Sequence, residues 1–235
     1  IREARRRFPD ELFFEPLHST HYAAFRVDKP PLDDVRVRKA LALAIDRNEL
    51  AHVLADAPHE VAKGGFIPPT LPAHSSSLSL PFDPERAAAL LHEAGYARPE
   101  DVPPITWIHT HGIGDASLLA HVVAQWRRFG LRIDVDELPW PRYQKALADL
   151  TFHVTLGAWI ADFPDPDSFL RGMFHGRDGA EPTGWHHGAY DDLVDAAGRA
   201  TDLAERLDLY RVADHVVVAE QAVAIALTYG RGPML

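Results

Sequence analysis

The chain has 235 residues, of which 46% are hydrophobic and 25% are charged, a composition that argues against disorder and allows one sizeable core. Its formal net charge is −10, and its only basic cluster is Arg5–Arg7, which argues against a nucleic-acid partner because phosphate binding needs grouped Lys and Arg. The absence of cysteine excludes disulfides, thiolate catalysis and cysteine-based zinc sites. No apolar run reaches the roughly 18 to 20 residues of a membrane span.

Two consecutive helices are predicted in KPPLDDVRVRKALALAIDRNELAHVLAD, residues 29–56. After the prolines, apolar residues recur at the spacing of one helix face, at Val37, Ala40, Leu41, Ala44 and Ile45. Asp46 followed three residues later by Glu49 resembles a capping box. This pair predicts the start of the second helix.

A third helix is predicted beyond a loop rich in proline and serine, residues 67–81. The sequence DPERAAALLHEAGY begins with Asp83, which can cap a helix, and Pro84, which suits a first turn because it lacks an N–H. Gly95 is typical of a helix end.

The second half of the chain alternates strand and helix patterns. Period-two alternation and short apolar runs predict strands in PITWIHTH, LRIDVDEL, FHVTLGAW and AVAIALTY, residues 104–111, 131–138, 152–159 and 222–229. Helical patterns occupy residues 116–129 and 139–150 and begin again near Asp167, Tyr190 and Asp202. Strands that alternate with helices through right-handed crossovers predict an α/β fold with a largely parallel or mixed sheet.

One stretch of acidic residues follows directly on a predicted strand, in LGAWIADFPDPDSFLRGMF, residues 156–174. Ligands of open α/β sheets bind at the carboxyl ends of strands, which makes the stretch that contains Asp162 a candidate wall of a binding site. The alternative is that Asp162 only begins a turn. Trp159 can form an apolar wall for a ligand or fill the core beneath the loop. Asp165 and Asp167 are expected to be structural, with Asp167 capping the next helix.

Three segments, in this order and spacing, resemble the family 5 extracellular solute-binding proteins, the peptide and nickel receptors of ABC importers. They are PPLDDVRVRKALALAIDRNEL, DPERAAALLHEAGY and GAWIADFPDPDSFL, residues 30–50, 83–96 and 157–170. The resemblance implies the C-terminal lobe of a type II periplasmic-binding-protein fold, with a mixed sheet flanked by helices. Residues 1–29 would then be a crossover or hinge segment, and residues 30–235 the ligand-binding lobe. Because the chain begins without methionine and ends just after a predicted strand, we expect a fragment of a longer two-lobed protein.

The resemblance also implies site residues. In dipeptide- and oligopeptide-binding members, an aspartate at the position of Asp162 pairs with the α-ammonium group of the bound peptide. The segment around it lines the cleft, which adds Trp159 and Ala161 to the predicted site. Trp185 and His186 lie in a glycine-containing loop that the family places near the cleft, and they are predicted as further ligand-binding residues.

Two positions and one segment depart from the family pattern. Arg26 stands where asparagine is common, and Ala158 precedes the tryptophan where glycine is usual. The segment before Tyr190 lacks a frequent asparagine. These differences fall close to the predicted cleft, so the resemblance specifies the ligand less well than the fold.

Fourteen histidines could offer ligands for nickel or zinc. His109 and His111 share a face only if their segment stays extended, and no third ligand has a matching spacing. Solvated or loop histidines are therefore expected, and no metal or cofactor is predicted. No nucleophile with a matching base and no glycine-rich phosphate loop occurs, which predicts a protein without enzymatic activity.

Three functions follow for comparison. The first is a secreted or lipid-anchored, extracytoplasmic receptor that binds a peptide or other small solute and delivers it to an ABC permease, attached to the membrane only through an anchor outside this chain. The second is the ligand-sensing domain of a cytoplasmic transcription regulator whose DNA-binding part lies elsewhere. The third is a receptor for a metal or heme complex.

Overall fold

The computed structural model describes residues 6–7, 11, 13–54, 59–112 and 116–234, so Arg5 of the basic cluster lies outside the described residues. The described strands are β1 (Phe13–Phe25), β2 (His59–Val61), β3 (Ile105–His109), β4 (Ile133–Glu137), β5 (Val154–Ile160) and β6 (Ala224–Met234). The described helices are α1 (Val35–Leu43), α2 (Arg47–Val53), α3 (Pro84–Glu93), α4 (Ala116–Arg128), α5 (Trp140–Ala148), α6 (Pro166–Phe174), α7 (Gly188–Arg199) and α8 (Leu203–His215). None of these helices combines the length and apolarity that crossing a bilayer requires.

The strands form one mixed sheet in the order β2-β6-β1-β5-β3-β4. Strand β3 runs parallel to both β4 and β5, and α4 supplies the crossover between β3 and β4. Strands β1 and β6 run antiparallel to their neighbours. The expectation of an α/β fold with a mixed sheet is confirmed, since one half of the sheet is parallel and the other antiparallel.

The sheet separates two hydrophobic cores, as alternation along β1 shows. Ala23 and Phe25 belong to the core that helices α1 to α4 cover, whereas Tyr22 and Ala24 belong to the core covered by α6 to α8 and residues 66–73. Successive side chains of a strand point to opposite faces, so one strand serves both cores. A smaller cluster under α5 contains Tyr143.

Strand β1 lies within the residues that were predicted to form a separate crossover segment, residues 1–29. Its residues Ser19–Phe25 pair with β5, and most of the strand pairs with β6, so β1 lies inside the sheet. The assignment of residues 1–29 to a crossover segment and of residues 30–235 to the lobe remains a prediction.

Helix starts confirm most of the predicted caps. The Asp83 side chain accepts a hydrogen bond from the Arg86 N–H, as expected of an N-cap. Asp46 accepts from two backbone N–H groups of α2, but the reciprocal half of the predicted capping box is absent. Its own N–H donates to Gln125 Oε1 at 2.7 Å, because Glu49 forms an ion pair with an arginine of α4 instead.

The predicted cap of α6 was wrong by two residues. Asp165, not Asp167, is the N-cap, and its carboxylate accepts a hydrogen bond from the Asp167 N–H at 2.9 Å. Pro166 occupies the first helical position, which needs no N–H donor. Asp167 lies in the first turn, where it accepts a hydrogen bond from the Tyr210 hydroxyl at 2.7 Å.

Candidate functional site

The segment that follows β5 places the Asp162 carboxylate at the protein surface. The Ala161 N–H donates to the His18 carbonyl at 2.9 Å, and the Asp162 N–H donates to Ser168 Oγ at 3.1 Å. Asp162 is exposed, and within the described part of the chain its carboxylate forms no hydrogen bond or ion pair. The backbone is fixed while the charge is free for an external partner.

An ion pair holds the far end of the same loop. Arg206 of α8 donates two hydrogen bonds to the Asp165 carboxylate, at 2.8 and 2.9 Å. Burial, the largest single influence, raises the pKa of Asp165, but the hydrogen bonds from Arg206 and the Asp167 N–H together with the Arg206 charge outweigh it and lower the pKa below its ordinary value. Such a bidentate pair fixes geometry as well as charge, so the loop that carries Asp162 is anchored to α8.

A surface pocket of about 380 Å³ opens beside the last residues of β5. Strand β5 lines one side of it, α5 another, and α6 with the segment before α7 a third. Its described lining residues are Tyr22, Trp140, Tyr143, Leu147, Thr155, Gly157, Ala158, Trp159, Met173, Ala180, Glu181 and Pro182. Aromatic side chains with a few polar groups are typical of small-molecule sites.

Gly157 makes room for the tyrosine that crosses the pocket. Tyr22 of β1 is the register partner of Gly157, and a Cβ at position 157 would lie 2.6 Å from the Tyr22 hydroxyl oxygen. The Tyr22 ring therefore lies over β5, where only glycine leaves space. From there its hydroxyl donates a hydrogen bond to Glu181 Oε2 at 2.5 Å.

Burial perturbs both partners of this hydrogen bond. Burial raises the pKa of Glu181 to about 7, while the hydrogen bond from Tyr22 opposes the rise. Burial, followed by the charge of Glu181, raises the pKa of Tyr22 well above its ordinary value. Glu181 is thus a carboxyl group that can be neutral or ionised near pH 7.

Two aromatic residues of α5 form the opposite wall of the pocket. Trp140 is 50% exposed and stacks on Tyr143, with 5.9 Å between ring centroids. The Tyr143 hydroxyl shares a hydrogen bond with Thr155 Oγ1 at 2.7 Å, which fixes α5 against β5. On the β5 side, the indole Nε1 of Trp159 is buried without a hydrogen-bond partner among the described residues. A ligand acceptor could satisfy it.

Of the five predicted site residues, only some lie at the pocket. Trp159 lines the pocket, Asp162 lies three residues beyond it, and Ala161 packs with Trp159 against the second core. Trp185 is 8% exposed and belongs to that same core, whereas His186 is exposed. Ligand contact by these five residues remains a prediction.

Of the lining residues, only Trp159 was predicted as a site residue, and sequence reasoning missed the aromatic and acidic ones, Tyr22, Trp140, Tyr143 and Glu181. The pair of aromatic residues three positions apart at the start of α5 was a usable signal, because residues i and i+3 share a helix face. Nothing local distinguished Glu181, which lies between secondary-structure elements.

The histidines considered for metal binding do not converge. His109 ends β3 and is buried, whereas His111 is exposed in the following turn. Among the residues that the structure describes, no three His, Asp or Glu side chains are grouped so that they could hold a metal ion.

A pocket and a free carboxylate at the carboxyl end of a strand in an α/β sheet are features of ligand-binding proteins. The sequence profile of the bacterial extracellular solute-binding proteins, family 5 Middle, matches residues 4–181. This match covers most of the chain, which belongs to that family. The resemblance carried by the three sequence segments is therefore confirmed.

Similar proteins agree with this assignment. The dipeptide-binding protein of Escherichia coli is 28% identical over 216 residues, which are 88% of this chain and 40% of the relative. Heme-binding protein A of Haemophilus influenzae is 28% identical over 91% of this chain and 40% of its own length. The dipeptide-binding protein of Pseudoalteromonas sp. SM9913, solved in complex with Met-Leu, has a TM-score of 0.86 at 24% identity and covers 99% of this chain and 47% of that one. The chain thus spans less than half the length of these relatives and shares their fold.

Proposed function

We propose that this chain is the ligand-binding lobe of a receptor that captures peptides or similar small solutes for an ABC importer. The observation that carries the proposal is the Asp162 carboxylate, which has no partner among the described residues and follows directly on β5, the strand that lines the aromatic pocket. The relatives support it, since their names describe binding proteins for dipeptides or heme. Binding and release, rather than a chemical reaction, would be the activity.

The ligand would be clamped between this lobe and a second one. Ile160 and Phe163, on either side of Asp162, are 67% and 49% exposed, which leaves apolar surface around the carboxylate for a ligand or a second lobe to cover. A ligand that touches both lobes only in the closed state shifts the population toward closure. Closure would exclude water from the Asp162 charge and strengthen its interaction with a ligand ammonium group.

We also infer an extracytoplasmic location and a partner permease. The family description, extracellular solute-binding proteins, supports the location. Delivery to an importer requires a permease that recognises the closed receptor. An anchor to the membrane would lie outside the described residues.

The Asp162→Asn variant tests the proposed ammonium site. Calorimetry on the full-length protein should show that Ala-Ala-Ala binds the variant about ten- to a hundredfold more weakly, since a charge-assisted hydrogen bond contributes about 1.5–3 kcal/mol. N-acetylated Ala-Ala-Ala, which lacks the ammonium group, should bind both proteins with the same low affinity.

Two controls complete this experiment. Asp192→Asn removes the same charge from an exposed position on α7 and should leave peptide affinity unchanged. Hemin is the control solute, because one relative is named a heme-binding protein. Tight binding of hemin with no binding of any peptide would contradict the proposed peptide receptor, and unchanged Ala-Ala-Ala affinity in Asp162→Asn would contradict the role of Asp162.

A further inference from the structure

The Glu181 carboxyl group has no cationic partner among the residues that the structure describes. Its Oε2 accepts one hydrogen bond, from the Tyr22 hydroxyl, and no Lys, Arg or His of the described chain lies within ion-pair distance. Two other partly buried carboxylates on the same side of the sheet have cationic partners, since Asp165 pairs with Arg206 and Asp167 pairs with Arg171. The buried Asp214 has none, but two backbone N–H groups donate to it. A buried carboxyl group without a cation is costly, so such groups are normally paired or lie at functional sites.

The surroundings of Glu181 suit a positive charge. The pocket it lines also presents the rings of Trp140, Tyr143 and Trp159. Aromatic faces carry negative electrostatic potential and attract Lys, Arg and other organic cations. Glu181 is the only acidic residue among the described lining residues, and no basic residue lines the pocket there.

We propose that Glu181 is the specificity-determining residue of this pocket and selects a ligand side chain with an organic cation, as in lysine or arginine. This inference rests on the proposed function, since it names the class of peptide that the receptor prefers. The cationic head pairs with the free oxygen of Glu181, and the apolar stem lies against the indole and phenol rings. Tyr22 holds the carboxyl group in position through its hydroxyl.

The size and ionisation of the site agree with this assignment. At about 380 Å³, the pocket lies near the lower end of the roughly 300–1,000 Å³ found for small-molecule sites, which suits one long side chain. The pKa of Glu181, about 7, reflects burial without a cation. A bound ammonium group would stabilise the ionised form of Glu181, and the ionised carboxylate would in turn bind the ammonium group more tightly.

Paired tripeptides test the proposal on the full-length protein. Lysine is placed at the first, second or third position of an otherwise alanine tripeptide, and norleucine, which has the same stem without the ammonium group, replaces it at each position. Calorimetry measures all six peptides against the wild type, Glu181→Gln and Glu205→Gln. Glu205 is an exposed glutamate of α8 and controls for the loss of one negative charge.

At one position of the wild type, the lysine peptide should bind about tenfold or more tightly than its norleucine partner, because the ion pair forms in a partly desolvated pocket. The ratio should fall to within about twofold in Glu181→Gln and persist in Glu205→Gln. Wild-type binding without a lysine preference at any position, or a preference that survives Glu181→Gln, would overturn the role of Glu181 and leave the proposed function intact. Failure of all six peptides to bind the wild type would instead overturn the proposed function, and the role of Glu181 with it.

Discussion

Single residues on two different strands decide the shape of the candidate pocket. Gly157 leaves space for the Tyr22 ring, and Tyr22 donates its hydroxyl to Glu181. The Gly157→Ala variant should therefore push Tyr22 aside, break this hydrogen bond and lower the free energy of unfolding by about 1–3 kcal/mol through overpacking. Urea denaturation monitored by tryptophan fluorescence measures the change.

Gly172 of α6 supplies the matched control. A Cβ at position 172 would meet its nearest neighbour, a carbon of Trp159, at 3.5 Å, which is an ordinary contact. Gly172→Ala should therefore stabilise the protein, by up to about 1 kcal/mol, because alanine favours a helix interior over glycine. Equal effects of the two substitutions would show that the close approach of Tyr22 to Gly157 carries no special cost.

The pocket shows where prediction from sequence stops. The helices, strands and most caps follow from local patterns, such as apolar spacing and the aspartate before Pro84. The pocket draws on residues from β1, α5, β5 and the segment before α7, and the register of β1 against β5 brings Tyr22 opposite Gly157. That register is a tertiary property, so neither Tyr22 nor Glu181 stood out in the sequence. Trp159 and Asp162 stood out because they follow a predicted strand, and the family resemblance then gave them a role.

At the scale of elements, Asp214 joins α8 to residues 66–73, the loop that covers the second core. Its carboxylate accepts hydrogen bonds from the N–H groups of Phe66 and Ile67, at 2.7 and 3.2 Å. Gly65 is required beside it, because a Cβ at position 65 would overlap the Asp214 side chain. Burial raises the pKa of Asp214 from 3.8 to about 7, although the two backbone hydrogen bonds oppose the rise.

This raised pKa gives the Asp214→Asn variant a pH signature. Between about pH 4 and 7, Asp214 keeps its proton in the folded state but releases it in the unfolded state. The stability that the buried Asp214 contributes is therefore fully present below about pH 4 and is lost as the pH rises to about 7. Asparagine does not titrate, and its amide nitrogen cannot accept the second N–H, which costs about 1–3 kcal/mol more. The wild type should exceed the variant in unfolding free energy most at pH 4 and least at pH 7.

Urea denaturation of both proteins at pH 4, 5.5 and 7 measures this difference. Other carboxyl groups titrate in the same range, but they are common to both proteins and cancel in the comparison. A difference that stays constant, or that grows with pH, would show that Asp214 is already ionised in the folded protein at pH 4.

At the scale of the whole molecule, two groups of apolar side chains are exposed toward the same end of the sheet. Phe13, Leu17 and Met234, on the paired ends of β1 and β6, are 52%, 42% and 50% exposed. Ile160 and Phe163 are exposed beside Asp162. In a two-lobed receptor, the strand ends would continue toward the second lobe and the surface around Asp162 would face it, which accounts for both sets of exposed residues with one arrangement.

This arrangement predicts that one lobe alone is a poor receptor. Residues 1–235 expressed alone should bind Ala-Ala-Ala at least about a hundredfold more weakly than the full-length protein, because the ligand loses every contact to the second lobe and stays open to water. Calorimetry compares the two affinities, and circular dichroism checks that the isolated chain is folded. Small-angle scattering should show a smaller radius of gyration for the full-length protein with peptide than without it. Equal, tight binding by the folded isolated chain would contradict the clamp, since Asp162 and the aromatic pocket would then suffice without closure.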